Sequence, residues 1–179
     1  MTEADAIDFA MTNIFIPVNS VISYIHDDSI SCESESVHST TYRMPNNITV
    51  NHISRVDKSW RFKNGPKYAI LEFKLPGAIK EGEWFPPGGG PVIGGARRMS
   101  QQLVKYCCIY GTRCAALCDV ENLIVFYLQG NPQDWIRSTP GAAPSVKVLM
   151  RWHKDLTDMK RGWFIFNEGA RLLKLGHPT

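Results

Sequence analysis

The sequence lacks the features that mark secreted and membrane-spanning proteins. Its first thirty residues contain no Lys or Arg, whereas a secretory signal peptide begins with a basic region. No uninterrupted apolar run approaches the roughly 20 residues that are needed to cross a bilayer. We therefore expect an intracellular protein, cytoplasmic or nuclear, with no membrane partner.

Metal-binding and phosphate-binding patterns are also missing. The five cysteines include no Cys-x-x-Cys pair, so we interpret them as core residues rather than as zinc ligands. The five histidines have no metal-ligand spacing, and the run PPGGGP lacks the Gly-Lys-Ser/Thr ending of a phosphate loop. The net charge of +3 neither requires nor excludes a nucleic-acid partner.

The composition and periodicity predict one α/β domain over residues 1–179. Residues 4–25 carry a helical apolar stripe that Pro17 divides or kinks. The polar, Ser-rich residues 29–47 are predicted to form a loop, and residues 48–54 a strand.

The rest of the chain continues this alternation. Residues 67–75 are a predicted strand, and residues 76–95, rich in Pro and Gly, an irregular surface excursion. A helix is expected over residues 96–110, with Gly111 as its C-cap, followed by a hairpin of CAALC and LIVFYL. After a Pro/Gly-rich connection over 131–145, the carboxyl-terminal region, 146–175, is predicted to form a strand and a helix.

The stretch KYAILEFKLPG places two charges inside an apolar strand. Side chains alternate along a strand, so Glu72 and Lys74 point to the same face. Antiparallel neighbours would bring the Asp57 carboxylate close to that of Glu72, and a divalent cation relieves such repulsion. A neighbouring Lys can stabilise charge on a phosphate or position a water. The ordinary alternative is an exposed edge strand with unremarkable surface charges.

The predicted helix adds Gln102 and Tyr106, which are four residues apart and share one helical face with Arg98. Asp57, then LEFK, then QLVKY resembles the PD-(D/E)XK nuclease superfamily in its RecB-like form. The resemblance covers about residues 48–128, and similar domains occur in fungal proteins. It implies a restriction-endonuclease-like fold, with a mixed central β-sheet flanked by helices, and a Mg²⁺- or Mn²⁺-dependent nuclease that hydrolyses DNA or RNA.

The resemblance also implies residue roles, and here the sequence departs from the family in one place. Asp57 stands in VDKSW and not in the usual Pro-Asp. Members often have another acid on the first helix, for which the candidates are Glu3, Asp5, Asp8, Glu33 and Glu35. The resemblance implies that Asp57, Glu72 and the Phe73 carbonyl ligate the metal and that Lys74 orients the hydrolytic water. It implies that Gln102 and Tyr106 support the site or contact the nucleic-acid backbone.

Basic residues near the expected site form a candidate nucleic-acid surface, interleaved with Trp60, Phe62 and Trp84. A solvated loop explains them equally well. The basic residues are Arg55, Lys58, Lys63, Arg97 and Arg98.

Two other functions stay open at this point. A catalytically inactive domain of the same fold would bind nucleic acid or protein within a larger or multi-component system, with a protein partner or a homodimer as its assembly. A structural or signalling domain would carry Glu72 and Lys74 as a surface pair.

Overall fold

A mixed β-sheet organises the computed structural model, which describes residues 2–27, 29–43, 49–130 and 147–176. Its strands lie side by side in chain order, and only β3 and β4 are parallel among the described pairs. The strands are β1 (Ile30–Arg43), β2 (Thr49–Phe62), β3 (Lys67–Phe73), β4 (Cys114–Cys118), β5 (Leu123–Leu128) and β6 (Val148–His153).

Helices cover both faces of this sheet, which gives three layers. α1 (Glu3–Ala10), a π-helical segment (Met11–Phe15), α2 (Ile16–Ile25) and α5 (Leu156–Lys174) lie on one side, called the aromatic face. α3 (Glu81–Trp84) and α4 (Gly94–Tyr110) lie on the other, called the α4 face. β4 is buried along its whole length because both faces are covered, as its continuous apolar sequence requires.

The predicted loop over residues 29–47 is wrong for the part that the structure describes. β1 pairs with β2 from Ile30 opposite Phe62 to Arg43 opposite Thr49. Pairing of β2 with β3 is limited to Lys58–Arg61 within the described residues, so residues 36–43 and 49–56 form a two-stranded outer ribbon. β1 is Ser-rich and shows no apolar alternation, so its sequence predicted a loop although its backbone pairs with β2. The strand predicted over residues 48–54 is confirmed as part of β2, which continues eight residues further, to Phe62.

Most other elements agree with the sequence-based expectation to within a few residues. α4 ends at Gly111, whose φ of 63° is the left-handed conformation of a helix C-cap. β4 and β5 form the predicted antiparallel hairpin, and α5 begins after the N-cap Asp155. The predicted connection over 131–145 lies outside the described residues.

The Pro/Gly-rich segment over 76–95 is more ordered than predicted. It contains the four-residue helix α3, and its Ile79 and Trp84 side chains are buried under the α4 face. The expectation of wholly irregular surface structure is therefore wrong, because two apolar side chains anchor the segment to the core.

The amino-terminal helical stripe is interrupted as Pro17 predicts. Pro17 lies in the first turn of α2, directly after the π-helical segment. By length and composition alone, the 22 residues Ala4–Ile25 are apolar enough to cross a membrane, although the sequence was expected to contain no such run. One such helix is weak evidence, since a core helix passes the same test, and Ile14, Phe15 and Ile22 are fully buried here.

Two glycines inside α5 let neighbouring strands approach the helix closely. A Cβ at Gly162 would lie 2.5 Å from the ring of His153, and one at Gly169 would lie 3.1 Å from the hydroxyl of Tyr127. The first distance is too short for a real Cβ, so a larger residue at 162 would require the His153 ring to move.

Candidate active site

The carboxyl end of β3 carries the candidate site. Phe73 packs on the aromatic face, so alternation sends Glu72 and Lys74 to the α4 face. Lys74 Nζ donates to Glu72 Oε1 at 2.9 Å. Glu72 is only 8% exposed, so the charge pair lies at the edge of the core and not on an open strand surface.

α4 brings two more of the predicted side chains to this position. The helix buries Met99, Leu103 and Cys107 against the sheet, and the neighbouring stripe faces β3. Gln102 Nε2 donates to Glu72 Oε1 at 3.0 Å and to the Tyr106 hydroxyl at 2.8 Å. Gln102 Oε1 accepts from Lys74 Nζ at 3.5 Å, so Gln102 connects both members of the charge pair.

Asp57 reaches the same place from β2. The register places Lys58 opposite Leu71, and one step further along the hairpin Asp57 stands level with Glu72. Asp57 Oδ2 accepts the backbone N–H of Phe73 at 2.7 Å. The prediction that antiparallel pairing returns Asp57 to Glu72 is therefore met, although Asp57 lies within a strand and not just past one.

Burial and the second carboxylate both act on the Glu72 side chain. Desolvation is the largest cause that raises the pKa of Glu72 above its usual value, and the Asp57 charge raises it further. The Lys74 ammonium acts in the opposite direction. Burial also raises the pKa of Tyr106, against the lowering effect of its hydrogen bond from Gln102. Tyr106 therefore stays a neutral hydroxyl at physiological pH.

The donor set fits a hard divalent cation. Glu72 Oε2 is buried and has no hydrogen-bond partner within the described residues, a costly state that a cation relieves. Two carboxylates supplemented by water and phosphate oxygens are typical of Mg²⁺ sites. No cluster of three His, Cys, Asp or Glu side chains able to hold a metal occurs among the residues that the structure describes. The Phe73 carbonyl stays a predicted ligand, since the contact seen there uses the Phe73 N–H.

The proposed extra acid does not join this group in the described part of the chain. Asp5 accepts the Thr2 N–H at 2.7 Å and completes the capping box of α1. Glu33 pairs with Arg61 and Lys67 instead. Asp8 belongs to α1, which covers the aromatic face. The side chains of the other two candidates, Glu3 and Glu35, lie outside the described set.

The predicted basic surface divides into separate places. Arg98 lines a cavity together with Lys74, and Arg97 is exposed on the same helix. Arg55 is exposed on β2, whereas Lys58 donates to Ser34 at 2.7 Å. Lys63 lies in the β2–β3 turn, at the opposite end of the hairpin from Glu72.

The predicted interleaving aromatics are not available as stacking surfaces. Trp60 and Trp84 are 1% and 4% exposed and belong to the cores of opposite faces, and Phe62 packs against Tyr68. The expectation that Trp60 and Trp84 belong to a basic surface is wrong, because the strand and α3 turn both indoles inward.

Two residues near the site were missed from the sequence. Lys80 lines the same cavity as Lys74, and Glu83 Oε2 accepts the N–H of Ala96 at 3.0 Å at the start of α4. A Cβ at Gly94 or Gly95 would come within 2.9 Å of the Glu83 carboxylate. The pair Gly94–Gly95 at the start of the helix was the available signal, since it leaves room for the Glu83 side chain to cap α4.

Comparison with protein-family models, with curated proteins and with solved structures finds no match for this chain. One fold serves many activities, so function has to come from the chemistry of a site. The side chains that meet at the end of β3 therefore carry the functional inference.

Proposed function

We propose that this chain is a metal-dependent nuclease of restriction-endonuclease-like architecture, which hydrolyses phosphodiester bonds of DNA or RNA. One observation carries the proposal. Asp57, Glu72, Lys74 and Gln102 meet at the end of β3, around a buried Glu72 oxygen that has no hydrogen-bond donor in the described structure. The helical crossover between parallel β3 and β4 supports the same architecture.

The residues have distinct tasks in such a reaction. Hydrolysis joins a water oxygen to phosphorus and breaks one ester bond, so charge develops on the phosphate oxygens. Asp57 and Glu72 would hold Mg²⁺ or Mn²⁺, which when bound polarises the phosphate and acidifies water. Lys74 orients the attacking water and offsets the developing charge. Gln102 fixes the Lys74 and Glu72 side chains, and Tyr106 fixes Gln102.

A second candidate is a catalytically inactive domain of the same fold that binds nucleic acid or protein. The observation in its favour is the lack of a third acidic ligand among the described side chains. Calorimetric titration with Mn²⁺ separates the candidates. Binding that Glu72→Gln abolishes supports the nuclease, whereas no binding at millimolar Mn²⁺ supports the inactive domain.

Cleavage assays test the nuclease directly. The purified protein is incubated with labelled single- and double-stranded DNA and RNA, in Mn²⁺ or in EDTA. We expect metal-dependent cleavage that Lys74→Ala lowers by about 10²–10³-fold, the usual loss when one charge-stabilising group is removed. The matched control is Lys160→Ala, an exposed position on α5, which covers the opposite face of the sheet, and this variant should cleave like the wild type.

Two outcomes contradict the proposal. Cleavage that persists unchanged in both Lys74→Ala and Glu72→Gln would come from elsewhere. A folded wild-type protein that cleaves none of the four substrates in Mn²⁺ would be the inactive domain.

A further inference from the structure

A cavity of about 580 Å³ opens beside the charge pair of the candidate site. One wall is the chain that leaves β3, from Lys74 to Lys80, and the other is the first turns of α4, with Arg98 and Gln102. The volume is within the ~300–1,000 Å³ of ordinary ligand sites. Lys74 belongs to both the cavity and the candidate active site, so the two are continuous.

The charge of this cavity is positive, even though Lys74 pairs with Glu72. Lys74, Lys80 and Arg98 contribute three cations, against a single carboxylate, Glu83. Glu83 is already used, because its Oε2 accepts the Ala96 N–H at the start of α4. Within the described residues, neither the Lys80 ammonium nor the Arg98 guanidinium forms an ion pair or a hydrogen bond, which leaves both able to receive an anion.

Helix geometry separates this anion position from the candidate catalytic one. Arg98 precedes Gln102 by four residues, which is a rise of about 6 Å along α4. Gln102 lies 3.5 Å from Lys74 Nζ, so an anion held by Arg98 lies one helical turn beyond the group held by Lys74. The two positions therefore suit two successive anionic groups of one extended ligand.

We propose that Lys80 and Arg98 form a phosphate subsite, which binds the phosphate adjacent to the scissile phosphate in a nucleic-acid strand. The inference rests on the proposed nuclease function, because that function defines the scissile phosphate to which this subsite is adjacent. A planar guanidinium binds phosphate oxygens in a bidentate manner, and the Lys80 ammonium adds a point charge. The subsite contributes affinity and register along the strand, and it does not read base identity.

Binding without cleavage tests the subsite. A fluorescein-labelled oligonucleotide is titrated in EDTA at several salt concentrations, with wild type, Lys80→Ala/Arg98→Ala, and the control Lys160→Ala/Arg161→Ala on exposed α5 positions. We expect the first double variant to bind more weakly, and its slope of log affinity against log salt to be smaller by about 1 for one lost phosphate contact. The control should keep the wild-type slope. Because Lys80 and Arg98 are exposed, circular dichroism should show that both double variants are folded.

The outcomes separate this inference from the proposed function. An unchanged slope in Lys80→Ala/Arg98→Ala, with cleavage that still requires Lys74, overturns the subsite and leaves the nuclease. A smaller slope for Lys80→Ala/Arg98→Ala, together with a wild-type protein that cleaves none of the substrates, keeps the phosphate subsite and removes the nuclease. A final titration measures the binding of inorganic phosphate at constant ionic strength. Phosphate binding that depends on Lys80 and Arg98, with no oligonucleotide binding, would show a site for free anions and overturn the strand subsite.

Discussion

The two faces of β3 differ in what their side chains contribute. On the aromatic face, Phe73 joins a cluster in which Phe15 lies 4.8 Å and Trp60 lies 4.6 Å from Trp163, between ring centroids. On the α4 face, the adjacent Glu72 stands in a polar network with an unsatisfied buried oxygen. One strand thus joins a cluster of closely packed rings to a buried carboxylate oxygen that has no hydrogen-bond partner in the described structure, and the rigid face holds the costly face in place.

The largest expected effect is on the aromatic face. Trp163→Ala should lower the free energy of unfolding by about 3–5 kcal/mol, since it opens a cavity among fully buried rings. Urea denaturation followed by circular dichroism measures this change. Tyr24→Ala, at a position 88% exposed, is the matched control and should stay within about 0.5 kcal/mol of wild type. Similar losses in the two variants would show that the aromatic cluster is not the stabilising core.

The α4 face should respond in the opposite direction. Glu72→Met combined with Lys74→Met replaces a buried ion pair by apolar side chains, which is commonly neutral or stabilising by about 1–4 kcal/mol. The same urea titration gives the result, and any cleavage should disappear. A double variant that is less stable than wild type by more than 1 kcal/mol would mean that the pair holds β3 to α4.

The stability contribution of the α4 face should depend on pH, because the pKa of Glu72 is raised in the folded protein. Between the ordinary carboxyl pKa and this raised value, the native state binds more protons than the unfolded state. The penalty from Glu72 is therefore present above the raised pKa and is relieved as the pH falls through it. Wild type should gain stability relative to Glu72→Gln as the pH falls from 8 to the ordinary carboxyl pKa of 4.5.

The difference between the two proteins is the quantity to follow, because other carboxyls respond in the opposite sense. Hydrogen bonding from Arg61 lowers the pKa of Glu33, so that group loses its stabilising contribution in acid in both proteins. A stability difference that stays flat from pH 8 to pH 4.5 would contradict the raised pKa of Glu72.

The smallest effect belongs to Tyr106→Phe. The change removes the hydroxyl that accepts from Gln102 at 2.8 Å, at a cost of about 0.5–1.5 kcal/mol. If that hydrogen bond positions Gln102 for catalysis, kcat/KM for cleavage should fall by up to about tenfold. Tyr24→Phe on the exposed helix surface serves as the control. A loss of stability with unchanged kcat/KM would limit Tyr106 to a structural role.

The parts of the site that depend on the side-chain periodicity of one strand or one helix were predictable from sequence. Alternation in β3 puts Glu72 beside Lys74, and the four-residue spacing in α4 puts Gln102 beside Tyr106. The carboxyl-terminal end of α4 was also predictable, because Gly111 readily adopts the left-handed conformation that ends a helix. The β4–β5 hairpin was predictable because DVEN is a turn sequence between two apolar runs.

The parts that depend on tertiary contacts were not predictable. β1 is a Ser-rich strand whose partner is β2, so its own sequence shows no buried stripe. Trp60 and Trp84 look like surface aromatics among basic residues, but the sheet and α3 bury both. Glu83 caps a helix that starts eleven residues later, a contact that no local spacing rule describes.

Asp57 and Glu72 differ in how firmly the chain holds them. Among the described pairings, the residues of β2 before Asp57 pair with β1 alone, whereas those from Lys58 to Arg61 pair on both sides. A two-stranded ribbon is marginally stable by itself, while β3 opens only with the core. Asp57 thus stands where the two-sided pairing of β2 ends, whereas Glu72 belongs to a strand that is paired on both sides. In the proposed metal site, the geometry of the β2–β3 hairpin would therefore set the distance between the two carboxylates.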